Sequence, residues 1–219
     1  PERLWDSLEA YEKETGGQVL AIPHNSNLSN GMMFAPTMFS GKPIDAAYAR
    51  RRMKWEPVIE VTQSKGDSEA HPYLSPNDEF ADYESWDDYN IMRSQPKKPW
   101  MLQYEYARSA LKIGLVYQKS LGVNPFKFGL TGSTDAHTGL TTTRNDNYFG
   151  KFPASEASAD RMGKRVGDFL NANWMLTSAG LTAVWARENT REALFDAIKR
   201  REVYATTGTR IRLRFFGGW

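Results

Sequence analysis

The side chains of this chain best suited to bind a metal ion are its three histidines and one nearby aspartate. His24, His71 and His137 are the only histidines in 219 residues, and Asp135 stands two positions before His137. Imidazole nitrogens and carboxylate oxygens suit zinc, manganese and iron. Because alternate residues of an extended segment project to the same side, Asp135 and His137 are placed to share one ion. The spacing predicts a metal site, and the alternative is a turn in which Asp135 accepts hydrogen bonds from backbone amides.

Each histidine follows a segment that the sequence predicts to be a strand. Short apolar runs at 19–22, 58–62 and 126–130 are the three expected strands. Helices are predicted at 4–14, 44–55, 100–121, 161–170 and 189–201. Gly16 and Gly122 are predicted to end the first and the third of them. Further strands are predicted at 181–186, 203–205 and 211–215. Because parallel strands need crossover connections, usually helices, this alternation predicts a parallel sheet. Open and barrel forms are both compatible with it, and the polar clusters after the strand ends favour a barrel.

Composition predicts one globular domain over residues 1–219 that binds neither nucleic acid nor membrane. The chain is 40% hydrophobic and 13% aromatic, which is enough for one sizeable core. Its net charge of +2 creates no strong field for polyanions, and no apolar run approaches the roughly 18 residues that a membrane span needs. Without cysteine, any metal must be held by nitrogen and oxygen. From the start at Pro1 and the apolar end at 215–219, we expect a portion of a larger protein, completed by its N-terminal portion or by another chain.

Three motifs occur in an order that resembles a known family. They are Ala21-Ile22-Pro23-His24-Asn25, Val58-Ile59-Glu60-Val61 with His71 downstream, and Gly132-Ser133-Thr134-Asp135-Ala136-His137. They are similar to the later motifs of the polymerase and histidinol phosphatase (PHP) family of metal-dependent phosphoesterases. More narrowly, the whole run resembles the C-terminal region of a bacterial branch of that family catalogued as a domain of unknown function. The phrases at 74–80, 188–195 and 204–208 are similar to that branch.

The resemblance implies an α/β fold, the C-terminal portion of a distorted (β/α)7 TIM-like barrel with parallel strands. It implies one barrel domain over 1–219, incomplete at its N-terminus, because the family's early His-x-His motif is absent. In the intact protein, two or three divalent ions of zinc, manganese or iron are implied. Their ligands here would be His24, His71, Asp135 and His137, and Asp135 would also act in catalysis by handling the proton of the attacking water.

Four further residues are expected to support such a site. A carboxylate at a strand end, Glu60, is expected to orient a histidine N–H, with direct metal binding as the alternative. Asn25 is a supporting candidate too, although asparagine is also the ordinary residue of turns with positive φ. Arg144 and Arg210 are candidates for binding an anionic substrate group, since a guanidinium fork suits phosphate. The alternative for each arginine is a solvated or structural charge.

The leading functional hypothesis is metal-dependent hydrolysis of a small anionic phosphoester. One alternative is hydrolysis of another bond on the same metal scaffold, such as an amide, a lactone or a sulfate ester. Another is a non-catalytic barrel fragment or subunit, which the missing early ligands favour. For a bacterial protein of this kind, the periplasm and the cytoplasm are both compatible with the sequence.

Overall fold

A computed structural model describes residues 1–137, 151–152, 158–160, 162–163 and 180–218 of the chain. The helices are α1 (Glu2–Thr15), α2 (Ala46–Trp55), α3 (Pro99–Leu102), α4 (Ala107–Leu121) and α5 (Arg191–Lys199), with a 3-10 turn at Ser26–Leu28. The strands are β1 (Val58–Gln63), β2 (Gly66–Asp67), β3 (Gly129–Gly132), β4 (Leu181–Val184) and β5 (Val203–Thr206). In these described parts of the chain, none of the helices is long and apolar enough to cross a membrane.

Local sequence signals explain where most helices begin and end. The side chain of Asp45 accepts a hydrogen bond from the Tyr48 N–H (2.8 Å) and begins α2. The predicted stops are confirmed, because Gly16 and Gly122 follow α1 and α4 with φ of 69° and 72°, a left-handed conformation that glycine adopts without strain. The helix predicted at 189–201 begins later, at Arg191, because the Thr190 hydroxyl accepts a hydrogen bond from the Ala193 N–H (3.3 Å) and caps α5.

The hydrophobic core lies between the helices and one face of β1. Its buried members are Trp5, Phe34, Ile44, Tyr48, Ala49, Trp55, Ile59, Val61, Ala107, Ala110, Val123 and Phe126. Along β1, Ile59 and Val61 belong to this core, so the alternation of a strand turns Glu60 and Thr62 to the opposite face. The polar side chains of Glu60 and Thr62 therefore lie on the side of the sheet away from the helices.

The strands form a three-stranded sheet in the order β2-β1-β3 and a two-stranded sheet of β4 and β5. Only β1 and β3 are parallel, whereas the pairs β1 with β2 and β4 with β5 are antiparallel. The predicted portion of a (β/α)7 barrel is therefore wrong, because the described strands are too few and too short and close no barrel. The connections between the strands explain this difference. Helices connect β1 to β3, which are parallel, but the two-residue turn Ser64-Lys65 connects β1 to β2, so β2 pairs with β1 in the antiparallel direction.

Several predicted elements are absent or shifted. The expected strand at 19–22 forms no ladder, although it runs beside β1, where the Glu60 N–H donates to Pro23 O (3.0 Å). No strand forms at 211–215, and β3 begins only at Gly129. The long helix expected at 100–121 is divided into α3 and α4, with Tyr106 at the start of α4. The helix predicted at 161–170 lies outside the described residues, apart from residues 162 and 163.

Candidate functional site

The candidate site lies where β1 and β3 end. Because these strands are parallel, the turn after β1 and the segment after β3 emerge at the same edge of the sheet. The Ser133 N–H donates to Thr62 O (3.0 Å) and keeps the two strand ends together. On the other side of β3, the Thr182 hydroxyl contacts both Gly132 N (3.0 Å) and Gly132 O (2.6 Å). The segment leading to Asp135 and His137 is thus held by neighbours on both sides.

Asp135 and His137 meet directly in this segment. The Asp135 Oδ1 and His137 Nε2 atoms are 3.1 Å apart. Asp135 has a positive φ of 51°, and the His137 N–H donates to Lys151 O (2.7 Å). The His137 ring packs edge-on against Phe152 with a centroid distance of 4.9 Å, and its side chain is 52% exposed whereas that of Asp135 is 14% exposed. A half-exposed imidazole thus stands at the mouth of the site with a nearly buried carboxylate behind it.

Two lysine ammonium groups converge on the other oxygen of Asp135. Lys65, from the turn after β1, and Lys151 both contact Asp135 Oδ2, and their side chains are 12% and 3% exposed. Lys151 Nζ also lies 3.1 Å from Asp135 O and 3.2 Å from His137 Nε2. Burial lowers the pKa of each lysine, and the neighbouring Lys65 charge lowers the pKa of Lys151 further. Sequence reasoning missed both lysines.

Glu60 stands beside this cluster on β1, on the face away from the helical core. It is buried, and its Oε2 accepts a hydrogen bond from the Ser133 hydroxyl. Its negative charge favours the charged forms of both Lys65 and Lys151. Among the described residues, Glu60 Oε1 is a buried oxygen that has no hydrogen-bond partner. The carboxylate was expected to orient a histidine, and the partner that the structure gives it is Ser133 instead.

His71 is engaged in a different cluster. Its Nε2 lies 2.7 Å from Asp87 Oδ2, its Nδ1 accepts from the Tyr73 N–H (3.0 Å), and its ring lies 5.0 Å from that of Tyr106. In a neutral imidazole this pattern places the proton on Nε2, where it is donated to Asp87. Both ring nitrogens therefore already have partners within the chain.

His24 lines a cleft, and Asn25 contacts the last residue of β1. His24 is exposed and lines an apolar cleft with Met32 and Phe39. Asn25 adopts a positive φ of 56°, the turn conformation expected of asparagine, and its Oδ1 accepts from Gln63 Nε2 (2.8 Å). Arg210 is exposed in the segment after β5, and Arg144 falls outside the described residues.

Of the four predicted metal ligands, the structure brings together Asp135 and His137. In the parts of the chain that are described, no group of three or more histidine, aspartate or glutamate side chains is placed to hold one metal ion. The pair nevertheless fits a divalent cation in kind, since it offers a carboxylate oxygen and an imidazole nitrogen. Metal binding by His24 and His71 remains a prediction.

The last residue of β2, Asp67, carries a half-buried carboxyl group. Asp67 accepts hydrogen bonds from the N–H groups of Glu69 (3.1 Å) and Ala70 (3.2 Å). Burial raises the pKa of Asp67 to about 7, although these backbone donors act in the opposite direction. In the unfolded chain the carboxyl loses its proton near pH 4, so between about pH 4 and 7 the folded state binds more protons than the unfolded state. The Asp67 contribution to the free energy of unfolding therefore falls as the pH rises through this window.

We expect Asp67→Asn to reduce this pH dependence, because asparagine still accepts both backbone hydrogen bonds but carries no charge. Urea unfolding at pH 5 and at pH 8 measures the effect, and the loss of stability between the two values should be smaller in the variant than in the wild type. Asp82→Asn, at an exposed position, is the matched control and should behave as the wild type does. Equal pH dependence in Asp67→Asn and the wild type would contradict the raised pKa.

Comparison with known proteins gives one match. The model of a family described as "Protein of unknown function (DUF3604)" matches residues 1–219, the whole chain. No curated protein and no solved structure was found to match it. The match agrees with the resemblance to a domain of unknown function, and it lends no support to the PHP assignment.

Proposed function

This chain belongs to DUF3604, a family of proteins of unknown function, and we propose that it acts as a metal-dependent hydrolase of small anionic phosphoesters. The observation that carries the proposal is the direct approach of Asp135 Oδ1 to His137 Nε2 at the shared end of β1 and β3. A carboxylate and an imidazole that face each other across 3.1 Å offer the hard oxygen and the nitrogen that zinc, manganese or iron accept. The similarity of the three motifs to PHP phosphoesterases supports the same function.

In this proposal, each residue of the site has a separate role in metal binding, proton transfer or substrate binding. Asp135 and His137 would hold the metal, and Asp135 would take up the proton of the attacking water. A bound divalent metal supplies a Lewis acid that activates water and polarises the ester. Glu60 would contribute negative charge from the buried side of the site, held in position by the Ser133 hydroxyl. Lys65 and Lys151 bring positive charge to the same place, which favours an anionic substrate over a neutral amide or lactone.

Metal content and hydrolysis of the full-length protein test this proposal together. We expect stoichiometric zinc, manganese or iron by elemental analysis, and turnover of a chromogenic phosphoester that is lost on chelation and restored by one of these ions. A parallel panel of chromogenic amides, lactones and sulfate esters tests the choice of bond, and we expect slower turnover of each. A protein that takes up none of the three metals and cleaves no substrate in the panel would show that it is not a metal-dependent hydrolase.

The role of His24 is tested in the same assay, because the structure places it at the wall of an apolar cleft. If it is a ligand in the full-length protein, His24→Ala lowers both the metal content and the rate. If only Asp135 and His137 contribute from this part of the protein, His24→Ala keeps both at the wild-type level. The second result would remove His24 from the site and leave the hydrolase proposal intact.

A further inference from the structure

Lys65 and Lys151 present an unusual arrangement for two buried lysines. Their ammonium groups, from distant parts of the sequence, both contact a single carboxylate oxygen, Asp135 Oδ2. The Ser64 hydroxyl lies 3.5 Å from the same oxygen. Three donor groups from two segments, the turn Ser64-Lys65 and Lys151, therefore surround one anionic oxygen in a site where the lysine side chains are 12% and 3% exposed.

A structural ion pair with Asp135 explains why one of these lysines is buried, but it does not explain the second. Elsewhere in the fold, the buried Lys97 contacts the fully buried Glu105 at 2.6 Å, and this pair has one ammonium for its carboxylate. At Asp135, the second ammonium adds repulsion from the first, and burial makes that repulsion stronger than it would be in water. Such a cluster becomes favourable when more negative charge is present than one carboxylate supplies. Glu60, which is buried beside the cluster and held by the Ser133 hydroxyl, supplies part of it.

The net charge of this cluster changes when Asp135 binds a cation. When both lysines and both carboxylates, Asp135 and Glu60, carry their charges, the cluster has no net charge. A divalent cation bound to Asp135 and His137 would leave the cluster with a surplus of about two positive charges. The chemical group that restores neutrality is a small oxyanion with two or more oxygens, such as a phosphate, whose oxygens accept from ammonium and hydroxyl donors.

We infer that Lys65 and Lys151 form an oxyanion subsite, which binds the phosphate-like group of the substrate beside Asp135. The inference deepens the proposed function and rests on it for the identity of the ligand as a substrate group. In the free protein, the Asp135 carboxylate takes the place of that oxyanion. Binding of metal and binding of oxyanion are then linked, and each ligand strengthens the affinity for the other by the same factor.

Titration calorimetry of the full-length protein with inorganic phosphate, with and without Mn²⁺, tests the inference without using activity. We expect phosphate to bind the wild type more tightly in the presence of Mn²⁺. Lys65→Met and Lys151→Met should each weaken phosphate binding by about 10- to 100-fold, because a hydrogen bond to a charged group contributes about 1.5–3 kcal/mol. Lys65→Arg keeps the charge and should retain most of the affinity. Lys112→Met, at an exposed position of α4, is the matched control and should bind as the wild type does.

A second measurement separates this inference from a loss of folding or of the metal site. In phosphate-free buffer, Lys65→Met should bind Mn²⁺ more tightly than the wild type, because one ammonium no longer competes for Asp135. Weaker phosphate binding with stronger Mn²⁺ binding is a pattern that an unfolded variant cannot produce. Phosphate binding that is unchanged in both lysine variants overturns the subsite. Phosphate binding that depends on the lysines, in a protein without hydrolysis, supports the subsite and counts against the hydrolase.

Discussion

Replacing Asp135 with asparagine is expected to lower metal-dependent phosphoester hydrolysis by about 10³-fold. The carboxylate is the negatively charged member of the Asp135–His137 pair, and asparagine keeps its shape but loses the charge that binds a cation. Stabilisation of charge by a bound metal contributes several kcal/mol to the barrier, and about 1.4 kcal/mol corresponds to a tenfold change in rate. Steady-state hydrolysis of a chromogenic phosphoester, with elemental analysis of the same samples, measures both the rate and the metal content.

His137→Ala provides a second variant for this prediction, because its side chain is 52% exposed and its removal disturbs the fold less. It should also lose activity and metal. Asp82→Asn, at an exposed position in the loop after β2, is the control and should keep both. If Asp135→Asn and His137→Ala are folded by circular dichroism and as active as the wild type, this pair plays no part in catalysis.

Replacing Glu105 with alanine is expected to reduce the free energy of unfolding by about 3–5 kcal/mol, the usual effect of breaking a buried ion pair. Glu105 is fully buried, and its Oε1 accepts from Lys97 Nζ (2.6 Å) and from the Gly31 N–H (3.0 Å). Lys97 also donates to Asn27 O (2.7 Å), so the pair fixes the loop after His24 to the segment before α4. Without Glu105, the Lys97 ammonium remains buried with its charge uncompensated. Urea unfolding followed by circular dichroism gives the difference.

The double variant Lys97→Met with Glu105→Leu tests the cause of that loss. Because both charges are removed together, we expect it to recover much of the stability that Glu105→Ala loses. Glu202→Ala, which breaks the exposed contact with Arg200, is the matched control and should have little effect. A double variant no more stable than Glu105→Ala would show that the shape of the Glu105 side chain, rather than its charge, stabilises the loop.

Local features of the fold could be predicted from the sequence. The glycine stops at Gly16 and Gly122 and the positive φ of Asn25 follow from the conformational preferences of single residues. Strand β1 was predicted within one residue at its end, because a run of apolar, β-branched residues suits a buried strand. These features depend on a few neighbouring residues.

The sheet topology could not be predicted in the same way. Whether a short strand becomes parallel or antiparallel depends on its connection, and the two-residue turn Ser64-Lys65 sets β2 antiparallel to β1. The apolar run at 19–22 has the composition of a strand, yet it lies beside β1 without completing a ladder. The alternation of apolar and polar segments does not specify which strands pair with each other. For this reason, the barrel predicted from it was wrong.

The site shows the same division between local and long-range information. The Asp-x-His spacing predicted a pair that meets in space, and the structure brings Asp135 and His137 together. The two lysines gave no local signal, because Lys65 contacts a residue 70 positions later in the chain and lysines usually lie in solvent. Only its position two residues after the end of β1 indicated that Lys65 lies near the candidate site.

The position of a bound ion tests the proposed metal site most directly. Crystals of the full-length protein grown with Zn²⁺ and measured at the zinc absorption edge locate the ion by its anomalous scattering. We predict a peak about 2.0–2.2 Å from an Asp135 carboxylate oxygen and from His137 Nε2, the usual distances for zinc with oxygen and nitrogen ligands. The absence of a peak there, or an ion held only by other residues such as His71 and Asp87, would contradict the proposed metal site.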